Sequence, residues 1–436
     1  MLFDFNRTIE DLAAIADRRR TRKLTMLNNL SRLAANLGMS SARPKDKEPQ
    51  EGVTSLQTAA AAVNSAATRL SLSIVMPTFN RSAVLDRIVR ATHKVSAGFD
   101  LEWVVVNDGS SDDTADVLRR LESEIPNFRY VNRANRGPGL ARNEGVALAR
   151  NEIILFMGDD ILPTNEDFLR PHAELHAVLR SKKVAVLGKV SWPGNDKFAV
   201  TSVMRHIQGR GGEQFGYADF TAYTFLDWRF FYTCNVSIRR DVVDDWSSEG
   251  FSPDFPVASF EDAEFAYRLQ KKFGSFEIFY CPSSHGHHLH SYGVKAFVRR
   301  QMLAGSMAHV ITFKHPELGS VISLNDIYAA MQKPIDGGAD DLTAEYLCAI
   351  EGLKSWAAIL EGENRLGNEA WHEDLLYVVF DIAFLQGYIT AACQGRTNFS
   401  EAYRRVLQRA NLRLRRIMDA EFQGSAEFQR RVLIPL

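Results

Sequence analysis

The segment LSIVMPTFNR, residues 72–81, determines the fold class of this chain, because a short, mostly apolar strand is followed at once by a polar turn. Three more short runs of β-branched and aromatic residues follow it, at 101–107, 127–131 and 152–157. Each interval between these runs holds an amphipathic pattern of helical period. Strands that alternate with helices of this length pair in parallel. The sequence therefore predicts an α/β fold with a mostly parallel, Rossmann-like sheet and helices on both faces.

Composition separates three further regions from this α/β pattern, which we expect to extend over residues 71–318. Residues 1–38 combine apolar residues at helical spacing with a basic run, and they predict a helical, basic N-terminal arm. Residues 39–70 are rich in Ser, Lys, Glu, Pro and then Ala, which is typical of a linker. Strand patterns vanish from residues 319–436, which predict a helical C-terminal region.

The overall composition argues against several classes of protein. The chain has 436 residues, with 52 Lys and Arg against 53 Asp and Glu and a net charge of -1. We therefore expect no nucleic acid among its partners. Its 4 cysteines contain no C-x-x-C pair. This pattern excludes a disulfide scaffold and a cysteine-based zinc module, and it fits a reducing compartment.

The sequence predicts a cytoplasmic location, because it contains no signal-peptide pattern and no uninterrupted apolar run of about 18 residues. The nearest approach, residues 375–393, is interrupted by Asp381 and Gln386, which favours a buried helix over a membrane span. Residues 401–436 hold eight arginines against four acids, with leucines interleaved. This segment predicts either peripheral binding to an anionic membrane surface at the inner face or a solvated helix packed on its neighbours.

Polar, turn-forming residues follow three of the predicted strands. They begin at Pro77 after the first strand, at Asn107 after the second and at Gly158 after the fourth. In an open parallel sheet, ligands bind beyond the carboxyl ends of the strands, so we expect these residues at one site. Acids at two of the strand ends suit a hard divalent cation that bridges a diphosphate. For Asp159 and Asp160, the alternative is an ordinary turn.

Two later motifs carry further polar groups. Glu261 and Asp262 lie at the start of a helical pattern, where they are either helix caps or a carboxylate base that faces the cleft. The cluster HGHHLH, residues 285–290, lacks the Asp of a binuclear zinc hydrolase. We interpret it as the source of one histidine that completes a carboxylate metal site. Histidines with no ligand role are the alternative.

Taken together and in this order, six motifs resemble those of family 2 glycosyltransferases, which are inverting, nucleotide-sugar-dependent enzymes with the GT-A fold. The resemblance covers residues from about 72 to 308, a little over half of the chain. The motifs are SIVMPTFNR (73–81), VVNDGS (105–110), GLARNEG (139–145), ILFMGDD (154–160), TCNVS (233–237) and Glu261-Asp262.

The resemblance implies donor binding by residues at the strand ends. Thr78 and Phe79 would line the pocket for the base and ribose. Asp108 would accept a hydrogen bond from a pyrimidine ring, with Arg142 close to the same ring. The family favours uracil, and thymine presents the same ring edge. The implied donor-binding set is Pro77, Thr78, Phe79, Asn80, Asp108, Arg142, Asp159 and Asp160.

A divalent metal, Mn²⁺ or Mg²⁺, is implied as the cofactor. Asp160 matches the second acid of the family's D-x-D motif and would hold the metal, with Asp159 as a candidate helper. A glycine stands where the first acid of that motif is expected. Relatives often complete the site with a histidine six residues beyond a proline, which points here to His288, with His287 and His290 as rivals.

Asp262 matches the family's catalytic base and Glu261 its neighbour. The resemblance thus implies an enzyme, a hexosyltransferase-like protein that moves a sugar from a UDP-sugar to a hydroxyl of a carbohydrate or lipid-linked acceptor. A nucleotidyltransferase would need a glycine-rich, basic phosphate loop after the first strand, and residues 77–80 do not supply one. A catalytically weak or inactive nucleotide-sugar-binding scaffold of a glycan-assembly complex is the alternative that the missing first acid favours.

One stretch of the sequence is a candidate for binding the sugar acceptor. Residues 215–232 are rich in Phe, Tyr and Trp, whose faces stack on sugar rings. The alternative is that these aromatic residues belong to the core and anchor loops.

Overall fold

The structure is a computed structural model that describes residues 70–194, 198–209, 214, 216–322, 324–331, 339–367, 370–393 and 399–421. The predicted N-terminal arm and all but the last residue of the predicted linker lie outside these ranges. The described residues include most of the α/β region and of the helical region beyond residue 319.

One sheet of nine strands runs through the described part of the chain. The strands are β1 (Leu70–Thr78), β2 (Phe99–Asp108), β3 (Phe128–Arg133), β4 (Ile153–Met157), β5 (Ile161–Pro163), β6 (Val184–Ser191), β7 (Phe225–Leu226), β8 (Asn235–Arg239) and β9 (Glu277–His288). Their order is β3-β2-β1-β4-β8-β6-β9-β5, with β7 also paired to β9. The strands from β3 to β4 are parallel, and β8 runs antiparallel to both of its neighbours.

Helices cover the faces of this sheet and make up the C-terminal region. They are α1 (Ser82–Lys94), α2 (Thr114–Glu124), α3 (Pro138–Leu148), α4 (Arg170–Leu179), α5 (Ser202–Gln208), α6 (Glu261–Phe273), α7 (Val294–Lys314), α8 (Asn325–Met331), α9 (Ala339–Gly362), α10 (Ala370–Ala392) and α11 (Phe399–Glu421). No strand occurs beyond residue 319 in the ranges that the structure describes. The predicted α/β class with a helical C-terminal region is therefore confirmed.

The register of β1 brings the predicted strand ends to one edge of the sheet. Thr78 of β1 lies opposite Asn107 of β2, and Val75 lies opposite Phe156 of β4. The middle of β2, residues 103–106, is fully buried. Since successive side chains of a strand point to opposite faces, the core packs against both faces of β2.

A short pairing at the other end of the sheet was not visible in the sequence. The three-residue strand β5 runs antiparallel to the end of β9, with Ile161 opposite His288. The backbone N–H of Leu289 also donates to the carbonyl of Asp160 over 2.8 Å. This pairing carries the histidine cluster to the acids that follow β4.

Helices α7 and α10 cross with their backbones in contact. A Cβ atom at Gly305 of α7 would overlap the carbonyl of Phe384, and one at Gly387 of α10 would overlap the carbonyl of Met302. The hydroxyl of Ser306 donates to the carbonyl of Gly387 over 3.3 Å. Only residues without a Cβ permit such an approach.

Helix α10 contains the apolar stretch noted in the sequence. Within the described residues it is the one helix long and apolar enough to span a membrane, with a hydropathy of 1.6 over its most apolar window. Yet 61% of that window is buried inside the protein, mainly against α7 and α11. The structure therefore places this stretch in the core of the helical region.

The arginines of α11 make ion pairs within the chain. Arg416 lies 2.7 Å from the carboxylate of Asp374 in α10, and Arg405 lies 3.1 Å from Glu401. The guanidinium of Arg413 stacks over the ring of Tyr377 at 3.8 Å. These contacts favour the second of the two interpretations of this segment, a helix packed on its neighbours. Residues 422–436 lie outside the described ranges.

We expect Gly387→Ala to lower the free energy of unfolding by about 1–3 kcal/mol, the usual cost of overpacking a core. The added methyl group would have to separate α7 from α10. Urea denaturation followed by circular dichroism measures this change.

Gly352→Ala in α9 is the matched control, since a Cβ there meets no described atom within 4 Å. Because alanine favours the helix by up to about 1 kcal/mol, this variant should be neutral or slightly more stable. Equal unfolding midpoints for wild type and Gly387→Ala would contradict the tight crossing.

Candidate active site

A cavity of about 890 Å³ opens at the carboxyl ends of β1, β2 and β4 and extends to the helical region. Ten of the residues that the sequence singled out line it. They are Pro77, Thr78, Phe79, Asp108, Arg142, Asp159, Asp160, Glu261, Asp262 and His288. Asn80 is not among the lining residues. Its side-chain carbonyl accepts a hydrogen bond from the backbone of Ser111 over 2.8 Å, so Asn80 joins the loops after β1 and β2.

Two adjacent acids, Asp159 and Asp160, lie in the turn between β4 and β5 and are almost fully buried. Arg81 reaches both of them, with Nε 3.4 Å from Asp159 Oδ1 and Nη2 3.3 Å from Asp160 Oδ2. Burial and the charge of Asp160 raise the pKa of Asp159 to about 7. Although burial acts in the same direction on Asp160, His288 and Arg81 hold the pKa of that carboxyl below its usual value. The pair therefore favours one ionised and one protonated carboxyl.

The histidine cluster contributes one direct contact to these acids. Nε2 of His288 lies 3.3 Å from Oδ2 of Asp160. His285 instead pairs with the hydroxyl of Ser191 at 2.7 Å, and the rings of His287 and His285 meet at 5.3 Å. Among the described residues, no group of three or more His, Cys, Asp and Glu side chains is placed to hold a metal ion.

Asp108 is held by two backbone donors and one ion pair at the end of β2. Its carboxylate accepts backbone N–H groups of Arg136 at 3.1 Å and of Gly137 at 2.8 Å. The guanidinium of Arg133, its pairing partner in β3, lies 3.1 Å away. The sequence analysis missed Arg133. The one available indication was its place at the end of a strand beside β2.

Asp262 lies in the first turn of α6. Phe260, the residue before that helix, has φ of 63°, a left-handed conformation that is rare for an aromatic residue. Burial and the charge of Glu261 raise the pKa of Asp262 to about 7. Glu261 is itself paired with Arg142, whose Nη1 lies 2.9 Å from Oε1 of the glutamate. Asp262 is thus poised between its protonated and ionised forms at neutral pH.

The aromatic-rich stretch before β8 is mostly structural. Tyr217, Phe220, Phe230 and Tyr232 pack against one another, with ring centroids 4.7–6.4 Å apart. Of residues 216–232, only Arg229 and Tyr232 line the cavity. The prediction of core and loop-anchoring residues fits this packing better than a sugar-stacking surface.

One wall of the cavity comes from α7 and α10. Of its residues, the sequence offered Arg300, as part of a basic pair that either reaches a diphosphate or lies on an exposed helix face, and the sequence analysis missed the others. The helical spacing of these residues was visible in the sequence. Nothing in the sequence showed that these faces of α7 and α10 lie at the edge of the sheet. The lining residues of this wall are Phe297, Arg300, Gln301, Ala304, Tyr377, Phe380, Asp381 and Phe384.

Comparison with known proteins finds relatives that are similar in sequence to part of this chain. Validoxylamine A glucosyltransferase of Streptomyces hygroscopicus subsp. limoneus is 29% identical over 231 residues, covering 45% of this chain and 47% of the relative. GalNAc(5)-diNAcBac-PP-undecaprenol beta-1,3-glucosyltransferase of Campylobacter jejuni is 34% identical over 91 residues, covering 20% of this chain and 29% of the relative. The chain spans about half the length of the first relatives it matches.

Among solved structures, the mannosyltransferase PcManGT of Pyrobaculum calidifontis, in complex with GDP-Man and Mn²⁺, is similar with a TM-score of 0.42 and 16% identity. The match covers 93% of this chain and 99% of that one. The family described as glycosyl transferase family 2 matches residues 73–246, which include most of β1, all of β2 through β8 and the acids at the ends of β2 and β4. This α/β part of the chain is therefore similar to glycosyl transferase family 2.

Proposed function

We propose that the protein transfers a sugar from a UDP-sugar to a hydroxyl group of a carbohydrate or lipid-linked glycan. One observation carries this proposal. Asp108, the Asp160–His288 pair and Asp262 all line the same cavity, although they come from distant parts of the chain. A nucleotide-binding acid, a candidate metal site and a candidate base are thereby brought together for one substrate.

Asp108 is placed to recognise the base of the donor. A carboxylate offers about four acceptor positions, and two of those of Asp108 accept the backbone N–H groups of residues 136 and 137. A remaining position suits the ring N–H of uracil or thymine. Arg142 adds a donor, because its buried Nε has no hydrogen-bond partner in the described part of the chain.

The proposed metal, Mn²⁺ or Mg²⁺, would be held by Asp160 and His288. Their Oδ2 and Nε2 atoms lie 3.3 Å apart and face the cavity, and the chemistry of both groups suits Mn²⁺. Mg²⁺ is commonly held by one or two protein groups together with substrate phosphates. The residues present therefore fit a metal that shares its other ligands with the donor. When bound, such a metal neutralises negative charge on the diphosphate leaving group.

Asp262 is the proposed general base. Its carboxylate would take the proton of the acceptor hydroxyl as that oxygen attacks the anomeric carbon, and the nucleoside diphosphate would leave from the opposite face. Arg81 and Arg300 add positive charge to the same cavity and would stabilise the charge that develops on the diphosphate. Inversion at the anomeric carbon is inferred from the family resemblance.

The names of two relatives support our proposals for the kind of acceptor and for the location of the protein in the cell. One relative is named for validoxylamine A and another for an undecaprenol-linked glycan, and both are named as glucosyltransferases. A carbohydrate acceptor suits a cytoplasmic enzyme. A lipid-linked acceptor would place the enzyme peripherally at the inner face of the membrane.

Asp262→Asn should lower the rate of transfer by about 10²–10⁴-fold while donor binding stays nearly intact, because the amide cannot accept the proton. The wild-type rate should rise with pH through about pH 7, since the pKa of Asp262 is raised to about 7 and only its ionised form acts as a base. A pH series of nucleotide release in the presence of acceptor measures both effects.

Glu261→Gln is the companion variant. It removes the like charge beside Asp262, so the pKa of that base falls and the acid limb of the pH–rate profile moves to lower pH. A normal rate for Asp262→Asn, or a profile that Glu261→Gln leaves in place, would show that the base is wrongly assigned.

Asp160→Asn should remove the metal-dependent part of the thermal stabilisation by UDP. Its carboxylate, and not that of Asp159, lies beside His288. In wild type, UDP with Mn²⁺ at about 100 times its Kd should add about 2.7 kcal/mol of stability, and EDTA should abolish the metal-dependent part.

Asp159→Asn is the matched control, because Asp159 shares the contact with Arg81, while His288 lies beside Asp160. It should keep the difference between Mn²⁺ and EDTA. Equal metal responses in wild type and Asp160→Asn would overturn the proposed metal site.

A further inference from the structure

Strand β9 contains a bulge at residues 282–284. Before the bulge Cys281 pairs with Gly188 of β6, and after it the next residue of β6 pairs with His285. Without the bulge, the same register would carry His288 three residues further along the strand, which is about 10 Å at the rise of a β-strand. The bulge therefore determines which residue of β9 reaches the acids that follow β4.

The bulge also determines the face on which each histidine lies. Successive side chains of a strand point to opposite faces, so an insertion of an odd number of residues interchanges the two faces. Ser191 and His285 share one face, with the hydroxyl 2.7 Å from Nε2. His288 lies on the other face, where its ring meets that of Trp192 at 5.7 Å. The bulge thus turns His288, and not His285, toward Asp160.

A network of polar side chains holds this bulge from the side of α4 and β8. Nε2 of His172 lies 3.1 Å from Oδ1 of Asn235 and 2.9 Å from the hydroxyl of Ser284, which is part of the bulge. The amide nitrogen of Asn235 donates to the carbonyl of Ser284 over 3.1 Å, and the hydroxyl of Ser284 donates to the carbonyl of Phe168 over 2.7 Å. The side chains of His172, Asn235 and Ser284 are fully buried, so water cannot replace these hydrogen bonds.

His172 has a defined role in this network. Because the amide nitrogen of Asn235 faces a carbonyl, the atom that faces His172 is the amide oxygen, which only accepts. Nε2 of His172 is therefore the donor. Burial lowers the pKa of His172 to about 3, so the ring is neutral and its Nδ1 accepts from the hydroxyl of Ser237 in β8, 2.8 Å away. An apolar residue at position 172 would leave the buried oxygen of Asn235 without this donor.

The other side of the bulge is fixed to the segment that follows β5. The backbone N–H of Thr164 donates to the carbonyl of His285 over 3.0 Å, and the amide of Asn165 donates to the carbonyl of Ser283 over 3.1 Å. Strand β5 begins directly after Asp160. The bulge is thus held between the network and the strand that carries the acids. Bulges beside active sites commonly serve to re-aim a side chain.

We propose that His172, Asn235 and Ser284 are positioning residues for the Asp160–His288 pair. By holding the bulge of β9 in place, they keep Nε2 of His288 3.3 Å from Oδ2 of Asp160. None of the three is among the residues that line the cavity, so they act through β9. The inference rests on the proposed function, because it takes the Asp160–His288 pair as the metal site of that reaction.

The test measures the Kd of the UDP complex for Mn²⁺. Mn²⁺ is titrated calorimetrically into the whole chain with UDP, and the same titration of UDP alone is subtracted. His172→Leu should raise this Kd by about 10- to 100-fold, the usual effect of losing a group that orients a metal ligand. His172→Gln keeps an amide N–H as donor and should restore part of the affinity. The Kd for UDP in EDTA should not change in either variant.

His176→Leu is the matched control for a loss of stability alone. His176 lies one turn further along α4 and is also buried, but its Nε2 contacts Ser237 of β8 at 3.1 Å rather than the bulge. This variant should unfold more easily than wild type and keep the wild-type Kd for Mn²⁺.

A double-mutant cycle tests whether the network acts through His288. In the His288→Ala background, His172→Leu should leave the Kd for Mn²⁺ where His288→Ala alone puts it, because an absent ligand cannot be misplaced. If His172→Leu does not fold, Ser284→Ala replaces it. That variant removes one hydroxyl from the bulge itself and should raise the same Kd.

Three outcomes separate the inference from the proposals beneath it. If His288→Ala weakens Mn²⁺ binding while His172→Leu and Ser284→Ala bind as wild type does, or if the effects in the cycle simply add, the positioning role is overturned. A His288→Ala variant that binds Mn²⁺ as tightly as wild type would overturn the proposed metal site, and the inference with it. A wild type that does not bind UDP would overturn the proposed function itself.

Discussion

The parallel pairing of β1 with β2 on one side and β4 on the other is the constraint on which the site depends. This pairing places the polar residues after three strands at one edge of the sheet, where a ligand can reach all of them. The pairing register sets the positions of Thr78, Asp108 and Asp160 relative to one another, and the buried valines of β2 hold the strand in the core on both of its faces. The binding geometry is thus a product of apolar packing several residues away from the polar groups.

Much of the fold and the strand-end edge of the cavity could be predicted from the sequence. Short apolar strands with helical intervals predicted the sheet, and acids at the strand ends predicted a polar edge. The pairing of β5 with β9 could not be predicted, because three residues are too few for a recognisable strand period. The sequence offered His288 with two rivals, and it is this pairing that carries His288 to Asp160.

The wall of the cavity that α7 and α10 form was missed for a different physical reason. Helical periodicity tells which residues share a face, but it does not tell what that face meets. The aromatic residues before β8 were one candidate for a sugar-binding surface in the sequence. In the structure they pack against one another in a cluster around Tyr217 and Phe220. The wall of the cavity is instead built from α7 and α10, and Asp381 of α10 looked in the sequence like an interruption of a core helix.

The close crossing at Gly305 and Gly387 has a consequence for how this protein can diversify. Since the two backbones are in contact at these glycines, a slide of one helix past the other would bring residues with a Cβ into the crossing. A descendant chain could therefore not reshape this wall by sliding one helix past the other. It would have to change the cavity-lining side chains of α7 and α10, one position at a time, while the two helix backbones stay in place. The crossing thus keeps the two backbones in place while the lining side chains can be substituted. This arrangement is favourable for laboratory evolution.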